Sequence, residues 1–330
     1  MEKHVEGRGY ITHVYYTYNS QHLKLGDLKE KARERDLVNK RLFKEYIPAY
    51  PRPEFHVTHL KHDTTGAGLE GIRRDNGFRD PDPEESPRLL WWSLMVRPED
   101  IQSAERRLLE QIYPDRTEEQ IQKQQSFLGK FATSPAFLDS SRLGSYRFTF
   151  PLEELLTAYS QQLCSGAQPV MRVFKTFLYK QKVMYAVLVH SPANQELFSE
   201  YPLLTDDPNA ICAYRDGRFI WRPEAMCGTH SQELVLRQDE KQVEVMELFG
   251  RDCEFYVWDD VAIALHVEDG QVLTFGSDRL KENLTYCETG TRLIRPEEEF
   301  RDFEDATDLV KKLWPEYPSP LERSLNIHAS

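Results

Sequence analysis

The first feature of this sequence that could do chemistry is a histidine and a threonine two residues apart, His56 and Thr58. They lie in Phe55-His56-Val57-Thr58-His59-Leu60, a segment whose composition predicts a short β-strand. Side chains two apart on a strand emerge on the same face, so the pair would present a ring nitrogen and a hydroxyl to one cleft. We expect a polar turn over residues 61–65 next, then a two-turn helix and a glycine stop at Asn76-Gly77.

The glycines after this segment spell a second candidate motif, Gly66-Ala67-Gly68-Leu69-Glu70-Gly71. The spacing G-x-G-x-x-G is typical of a dinucleotide-binding turn, in which the glycines follow a strand at once and open a long helix. Here residues 61–65 intervene, and the helix stops after about two turns. The spacing therefore favours a flexible turn, with glycines that end the helix, over a loop that binds a pyrophosphate.

Several residues are of types that bind metals or act as nucleophiles, but their spacing matches no motif for either role. His56 and His59 would point to opposite faces of a strand, and His62 and Asp63 complete no H-E-x-x-H motif. We therefore expect no metal site. Cys227-Gly228-Thr229-His230 places a thiol near an imidazole without a nucleophile motif around it, which is typical of a free thiol and a surface histidine.

Residues 127–146 have the composition of a loop that wraps a ligand. The segment contains Phe131, Ser134 and Tyr146 together with small residues, a proline and several hydroxyls. Such loops contact ligands in many proteins, but a plain surface loop has the same composition, and both interpretations stay open.

A carboxylate at a strand end is the last candidate. Arg222 and Glu224 follow a predicted strand that ends at Trp221. The pair is interpreted either as an exposed ion pair or as a site that holds a catalytic carboxylate.

Composition limits the class of protein. The chain has 330 residues, a net charge of -12, 40% hydrophobic and 12% aromatic residues, which is enough for a packed core in one large or two small domains. The acidic balance argues against broad nucleic-acid binding. The sequence shows no secretory signal and no apolar run long enough to span a membrane. Its five cysteines form no paired motif, so we expect free thiols and a location in the cytoplasm or nucleus.

The elements that must position these residues follow from periodicity. Helices are predicted early and hairpins late, which favours an α+β fold. The predicted helical segments are residues 22–46, 101–113, 117–128, 151–163 and 300–313. The predicted strands are residues 9–18, 55–60, 89–96, 145–150, 170–179, 183–189, 210–214, 218–221, 255–258, 261–267 and 271–275.

Three of these stretches together resemble the ADP-ribosyltransferase superfamily. His56-Val57-Thr58, then Leu69, Ile72 and Gly77-Phe78, are similar to the H-x-T strand and the following helix of that family. Gly129-Lys130-Phe131-Ala132 and the run to Tyr146 are similar to its G-K-x-x-Y-F-A loop and S-x-x-Y.

The third matching stretch is residues 178–185, Leu-Tyr-Lys-Gln-Lys-Val-Met-Tyr, which is similar to the family's last strand. The resemblance implies a split sheet with N-terminal helices and a β-rich C-terminal part. Its implied division of the chain is a strand and helical segment over 1–53, the transferase-like core over 54–190, a β-rich region over 191–314 and a loose tail over 315–330.

The resemblance also implies NAD as a substrate. His56, with Thr58 beside it, would hold a ribose hydroxyl, and Tyr146 or the ring of Phe131 would stack on nicotinamide, with Ser134 in the same loop. The expected acceptor is a macromolecule or a protein partner.

One position departs from the family pattern. Gln181 stands where the family has a glutamate, and an amide hydrogen-bonds a ribose but supplies no negative charge to the departing-nicotinamide transition state. Glu224 is the candidate substitute for that carboxylate. The alternative is an inactive module that binds a nucleotide, ADP-ribose or a protein.

Overall fold

A computed structural model describes most of the chain. The described residues are 2–8, 11–34, 51–80, 86–179, 182–224, 228–229, 232–248, 254–255, 260–290 and 293–324. Six sequence predictions fall outside them wholly or in part: Gln181, the helical region after Glu34, the Cys227–His230 pair, the strand after Phe255, the first two residues of the strand over 9–18 and the tail after Ser324.

Nineteen strands form over the described residues. They are β1 (Glu2–Arg8), β2 (Ile11–Asn19), β3 (Phe55–Val57), β4 (His59–Thr64), β5 (Gly77–Phe78), β6 (Leu89–Met95), β7 (Tyr146–Pro151), β8 (Val170–Tyr179), β9 (Lys182–His190), β10 (Cys212–Arg215), β11 (Arg218–Trp221), β12 (Gly228–Thr229), β13 (Gln232–Arg237), β14 (Gln242–Glu247), β15 (Glu254–Phe255), β16 (Asp260–His266), β17 (Leu273–Thr274), β18 (Leu284–Tyr286) and β19 (Glu322–Arg323).

Seven α-helices accompany them in the described residues, which confirms the α+β class. They are α1 (Leu25–Glu34), α2 (Gly66–Asp75), α3 (Pro98–Ile112), α4 (Glu118–Lys123), α5 (Leu152–Leu163), α6 (Ser277–Glu282) and α7 (Phe303–Leu313). Short 3₁₀ helices cover Leu128–Phe131, Pro135–Phe137, Pro192–Asn194 and Glu297–Glu299. No α-helix in the described part of the chain is long and apolar enough to cross a bilayer.

A ten-stranded mixed sheet organises the molecule. Its order is β1-β2-β8-β9-β16-β6-β4-β7-β18-β19, so it takes strands from both ends of the chain. Most neighbours are antiparallel, while β16 runs parallel to β9 and β19 runs parallel to β18.

One side of this sheet, which we call the aromatic face, carries the main core. Phe78 lies against it, with its ring centroid 4.9 Å from that of Trp92 and 5.2 Å from that of Phe148, both in edge-to-face geometry. Phe78 is 2% exposed and Trp92 is 1% exposed. Burying side chains of this size contributes about 2–3 kcal/mol each relative to leaving them in water.

The strand that opened the sequence analysis differs in extent from its prediction. It divides at Thr58: β3 pairs with β11 in a small sheet, whereas β4 pairs with β6 and β7 in the large one. Residues 61–64 are strand, so the predicted polar turn is wrong. The alternation of Lys61 and Asp63 with Leu60 and His62 places the charged pair on one face of the sheet, where distant residues compensate it.

Helix α2 begins and ends as its residues dictate. The Thr65 hydroxyl accepts a hydrogen bond from the Gly68 N–H at 3.3 Å, which caps the first turn. Asn76 adopts the left-handed conformation at the C-cap, with φ 48°, and Gly77 follows. A Cβ at Gly77 would lie 2.3 Å from the carbonyl oxygen of Leu273, so only glycine allows this approach of two backbones.

The C-terminal stretch that was expected to be a loose tail joins the sheet as far as the structure describes it. β19 pairs with β18, and the Ser324 N–H donates to the Tyr286 carbonyl at 2.8 Å. Leu321 is 3% exposed, so burial of this side chain also holds the segment in place.

Candidate functional site

The other side of the sheet, which we call the polar face, contains a buried ion pair. Asp63 on β4 and Arg147 on β7 are direct cross-strand neighbours. Arg147 donates from Nε to Asp63 Oδ1 at 2.7 Å and from Nη2 to Oδ2 at 2.9 Å, and its side chain is fully buried. Burial alone would raise the pKa of Asp63, but Arg147 and then Lys61 hold that pKa at about 2.

Lys61 fastens the loop after the first 3₁₀ helix onto the polar face. Its Nζ donates to the carbonyls of Pro135 and Leu138 at 2.5 and 3.1 Å. Burial, followed by the charge of Arg147, lowers the pKa of Lys61 to about 8. The ammonium group of Lys61 therefore donates to backbone carbonyls, and its role in this arrangement is to hold the loop over the sheet.

Two pieces of the resemblance come together at one end of the sheet. β4 begins at His59, opposite Met95, the last residue of β6. β16 begins at Asp260, opposite Met184 near the start of β9. The end of β8 at Tyr179 and the start of β9 at Lys182, which flank Gln181 in sequence, thus lie at the same sheet end at which β4 begins. β4 and β9 are three strand spacings apart, about 14 Å.

At this sheet end the structure adds Asp260, which the sequence analysis did not identify as a candidate site residue. It lies on the polar face, 7% exposed, between the β8–β9 hairpin and the start of β4. Its Oδ2 is 3.8 Å from Nη2 of Arg142. Arg142 Nη1 is buried and has no hydrogen-bond acceptor among the described residues. In the sequence, Asp260 precedes an ordinary apolar strand, and only the strand order shows what it neighbours.

Thr58 and His59 form a short hydrogen-bonded pair at the same end. Thr58 Oγ1 lies 2.9 Å from His59 Nδ1. Burial and then the positive charge of Arg97 lower the pKa of His59 to about 4, so the ring is neutral at pH 7. A neutral imidazole beside a hydroxyl can donate or accept a hydrogen bond from a sugar or an amide.

His56 belongs to the small sheet and has a charged partner. Its Nε2 is 2.6 Å from Glu54 Oε1, and Arg222 donates from Nε to the other oxygen of Glu54 at 2.6 Å. Burial raises the pKa of Glu54, but hydrogen bonds from His56 and Arg222 outweigh it and leave the pKa below its usual value. His56 is thus held by this network, and its role toward NAD stays a prediction.

The three loop residues that the resemblance placed near nicotinamide are buried inside the fold. Phe131, Ser134 and Tyr146 are each 0% exposed. The Ser134 hydroxyl accepts a hydrogen bond from the Ala136 N–H at 3.3 Å and caps the second 3₁₀ helix. Stacking of Phe131 or Tyr146 on nicotinamide would therefore require the covering segments to move.

Tyr146 lies apart from Thr58. It pairs with Thr64 at the far end of β4, so about six residues of extended strand, roughly 20 Å, separate the two positions. The structure brings Thr58, Asp260 and the facing ends of β8 and β9 to one end of the sheet and Tyr146 to the other. A single small group cannot contact both.

Glu224 forms an ion pair of its own. Its Oε1 is 3.6 Å from Lys24 Nζ, and both side chains are partly exposed. The sequence suggested Arg222 as its partner, whereas Arg222 pairs with Glu54 and Asp206. A catalytic role for Glu224 stays a prediction.

Metal ligands do not cluster in the described part of the chain, where no group of three or more His, Cys, Asp or Glu residues could hold an ion. Cys164, Cys212 and Cys287 are buried free thiols. Burial raises the pKa of Cys287 to about 12, so its thiol is protonated at neutral pH.

Comparison with known proteins adds no relative. Neither the protein-family models, nor the curated proteins, nor the solved structures include a match to this chain.

Proposed function

We propose that this chain binds NAD at the sheet end where β4 begins and transfers its ADP-ribose group to a macromolecule. The observation that carries the proposal is that Thr58 and the facing strand ends Tyr179 and Lys182 lie at one end of one sheet, although they are more than a hundred residues apart in sequence. These are two of the three stretches on which the resemblance to ADP-ribosyltransferases rests, and the resemblance requires them to share a site.

The side chains between the two pieces have the chemistry that such a site needs. Asp260 is a carboxylate on the strand next to the hairpin, so it takes the place of the negative charge that Gln181 lacks. A carboxylate beside the ribose stabilises the positive charge that develops as nicotinamide leaves. The buried, unpartnered Nη1 of Arg142 is available to a phosphate oxygen of the same ligand.

A second candidate function is binding without transfer. Gln181 favours it, because a site selected for turnover would keep a carboxylate on the hairpin. In this case NAD or ADP-ribose binds and nicotinamide is not released.

The test is calorimetric titration of the full chain with NAD, together with assay of nicotinamide release from labelled NAD in the presence of cell extract. The variants are Asp260→Asn, Gln181→Glu and Glu224→Gln. Asp239→Asn is the control, because Asp239 is exposed in the β13–β14 turn and its loss changes the net charge equally.

We expect Asp260→Asn to lower nicotinamide release at least tenfold while NAD still binds, and Asp239→Asn to change neither. A fall in Glu224→Gln instead would assign the carboxylate to Glu224. Release that appears only in Gln181→Glu would establish the binding module. Failure of the wild-type chain to bind NAD at all would refute both functions.

A further inference from the structure

The start of helix α2 lies at the other end of β4 and has free donors. β4 ends at Thr64, Thr65 is the N-cap, and the helix begins with Gly66-Ala67-Gly68. Thr65 satisfies the Gly68 N–H, whereas the N–H groups of Gly66 and Ala67 precede the first intrahelical acceptor. Strand and helix are thus contiguous here, contrary to the interval that the sequence suggested.

Arg301 lies against this helix start. A Cβ built on Gly66 would be 3.1 Å from Arg301 Nε and 3.5 Å from Nη2, so the guanidinium covers the first turn. Within the described residues it forms no ion pair with a carboxylate. The N-terminus of a helix has positive potential, and a cation held there without a counter-charge is unfavourable. An anion between the two would relieve this repulsion.

Tyr146 supplies an independent indication of a ligand. The residue is 0% exposed, and its hydroxyl has no hydrogen-bond partner among the described residues. A buried hydroxyl without a partner has lost its hydrogen bonds to water without replacing them, which is unfavourable. Tyr146 pairs with Thr64, and the nearby charges that act on its pKa are Arg301, Asp305 and Glu70. Its side chain emerges on the same face of β7 as that of Phe148, which contacts Phe78 just after α2, so the hydroxyl lies on the side of the sheet that carries α2.

Ligand access is from the side of the helix start. Ala67 and Arg301 are exposed, whereas Gly66 and the Tyr146 hydroxyl are buried, so a phosphate that contacts the phenol must displace the side chains that cover it. Burial raises the pKa of Tyr146 to about 12, so its hydroxyl is protonated and acts as a donor at neutral pH.

We propose that Gly66, Ala67, Tyr146 and Arg301, which we call the α2 cradle, bind a phosphate group. Its oxygens would accept hydrogen bonds from two backbone N–H groups, the guanidinium and the phenol. The cradle lies at the opposite end of β4 from the proposed NAD site, so neither site depends on the other. Glu70 and Asp305 reduce the positive potential there, and neutralising Glu70 should tighten binding.

The test uses the full chain and inorganic phosphate, titrated at constant ionic strength against chloride. Phosphate should stabilise the wild-type protein against heat. Arg301→Gln should weaken phosphate binding about tenfold, which corresponds to about 1.4 kcal/mol, and Glu70→Gln should strengthen it about threefold. Arg106→Gln is the matched control, because Arg106 is exposed on α3, away from the cradle.

Tyr146→Phe separates a ligand contact from a structural one. Its hydroxyl has no partner, so without phosphate this variant should be at least as stable as the wild type, yet it should bind phosphate several-fold more weakly. Tyr159→Phe is the comparison: the Tyr159 hydroxyl donates to the His266 carbonyl at 2.6 Å, so its loss should lower stability and leave phosphate binding unchanged.

Equal phosphate binding by the wild type, Arg301→Gln and Tyr146→Phe would overturn the proposal, as would no binding by the wild type. AMP and adenosine extend the test. AMP that binds like phosphate indicates a free phosphate ligand, and tighter AMP binding indicates a nucleotide monophosphate. Adenosine that binds as well as AMP would refute recognition through phosphate. Because Asp260→Asn should leave phosphate binding unchanged, failure of the NAD proposal would not affect this result.

Discussion

Replacing Asp63 by Asn tests the buried ion pair on the polar face. The amide keeps the size of the carboxylate and one acceptor oxygen but removes the negative charge. Arg147, which is 0% exposed, then has neutral acceptors, among them the carbonyls of Leu138 and Ser140 and the Ser324 hydroxyl. Breaking one side of a buried pair typically costs 3–5 kcal/mol, because the remaining charge is desolvated without compensation. We expect a loss of about 3 kcal/mol in the free energy of unfolding at pH 7.

The pH dependence supplies a second magnitude. The folded pKa of Asp63 is about 2, below its ordinary value of 3.8. A depressed folded pKa stabilises the protein above the unfolded pKa, and this stabilisation is lost as pH falls toward the folded pKa. The contribution is about 2.5 kcal/mol at pH 7 and about 1.3 kcal/mol at pH 3.

The assay is urea unfolding of the wild type and Asp63→Asn at pH 7, 5, 4 and 3. The measured quantity is the difference in unfolding free energy between the two proteins, since other carboxylates cancel in that difference. It should be constant from pH 7 to 5 and shrink by about 1 kcal/mol at pH 3. Asp239→Asn, an exposed site, should differ from the wild type by less than about 0.5 kcal/mol throughout.

Two results would refute this reasoning. One is a difference between the wild type and Asp63→Asn below about 1 kcal/mol at pH 7. The other is a difference that does not change between pH 5 and pH 3. Either would mean that the Arg147 guanidinium is satisfied by backbone carbonyls without the carboxylate.

Two further predictions concern the strand and helix that separate the proposed sites. Leu60→Ala should lower the unfolding free energy by about 2–5 kcal/mol, since Leu60 is 0% exposed, while Leu236→Ala, at a position 41% exposed, should stay within about 0.5 kcal/mol. Equal losses in urea unfolding would contradict that burial. Thr65→Ala should cost about 1 kcal/mol by removing the cap of α2, and Thr65→Ser should restore most of it; a calorimetric melt in which the two variants behave alike would exclude capping.

Local patterns in the sequence predict much of the fold. Asp216-Gly217 is a residue pair that favours a tight hairpin turn, and both residues adopt positive φ, 52° and 74°, between β10 and β11. Helix α5 covers Leu152–Leu163, as its proline start predicted, while the helix predicted over 117–128 ends at Lys123. Signals of this kind depend on neighbours in sequence, which is why they are visible there.

Features that depend on distant residues are not visible in the sequence. Lys61 and Asp63 were interpreted as a turn because they are charged, and only Arg147, 84 residues after Asp63, makes a buried strand out of them. Asp260 has no local mark at all, because its significance comes from the order β9-β16-β6-β4. The sequence likewise does not show that the Tyr146 hydroxyl lacks a hydrogen-bond partner, because the residues around it are distant in sequence.

The position of β16 has a consequence for how the chain can be divided. Strands β1, β2, β8 and β9 form one block of the sheet, and β6, β4, β7, β18 and β19 form the other, with β16 hydrogen-bonded between them. A piece that ends at His190 lacks this strand, so its two blocks would each expose a new, apolar edge. Synthesis of the chain must therefore pass β16 before the sheet can close, and folding has to wait for contacts of long sequence separation.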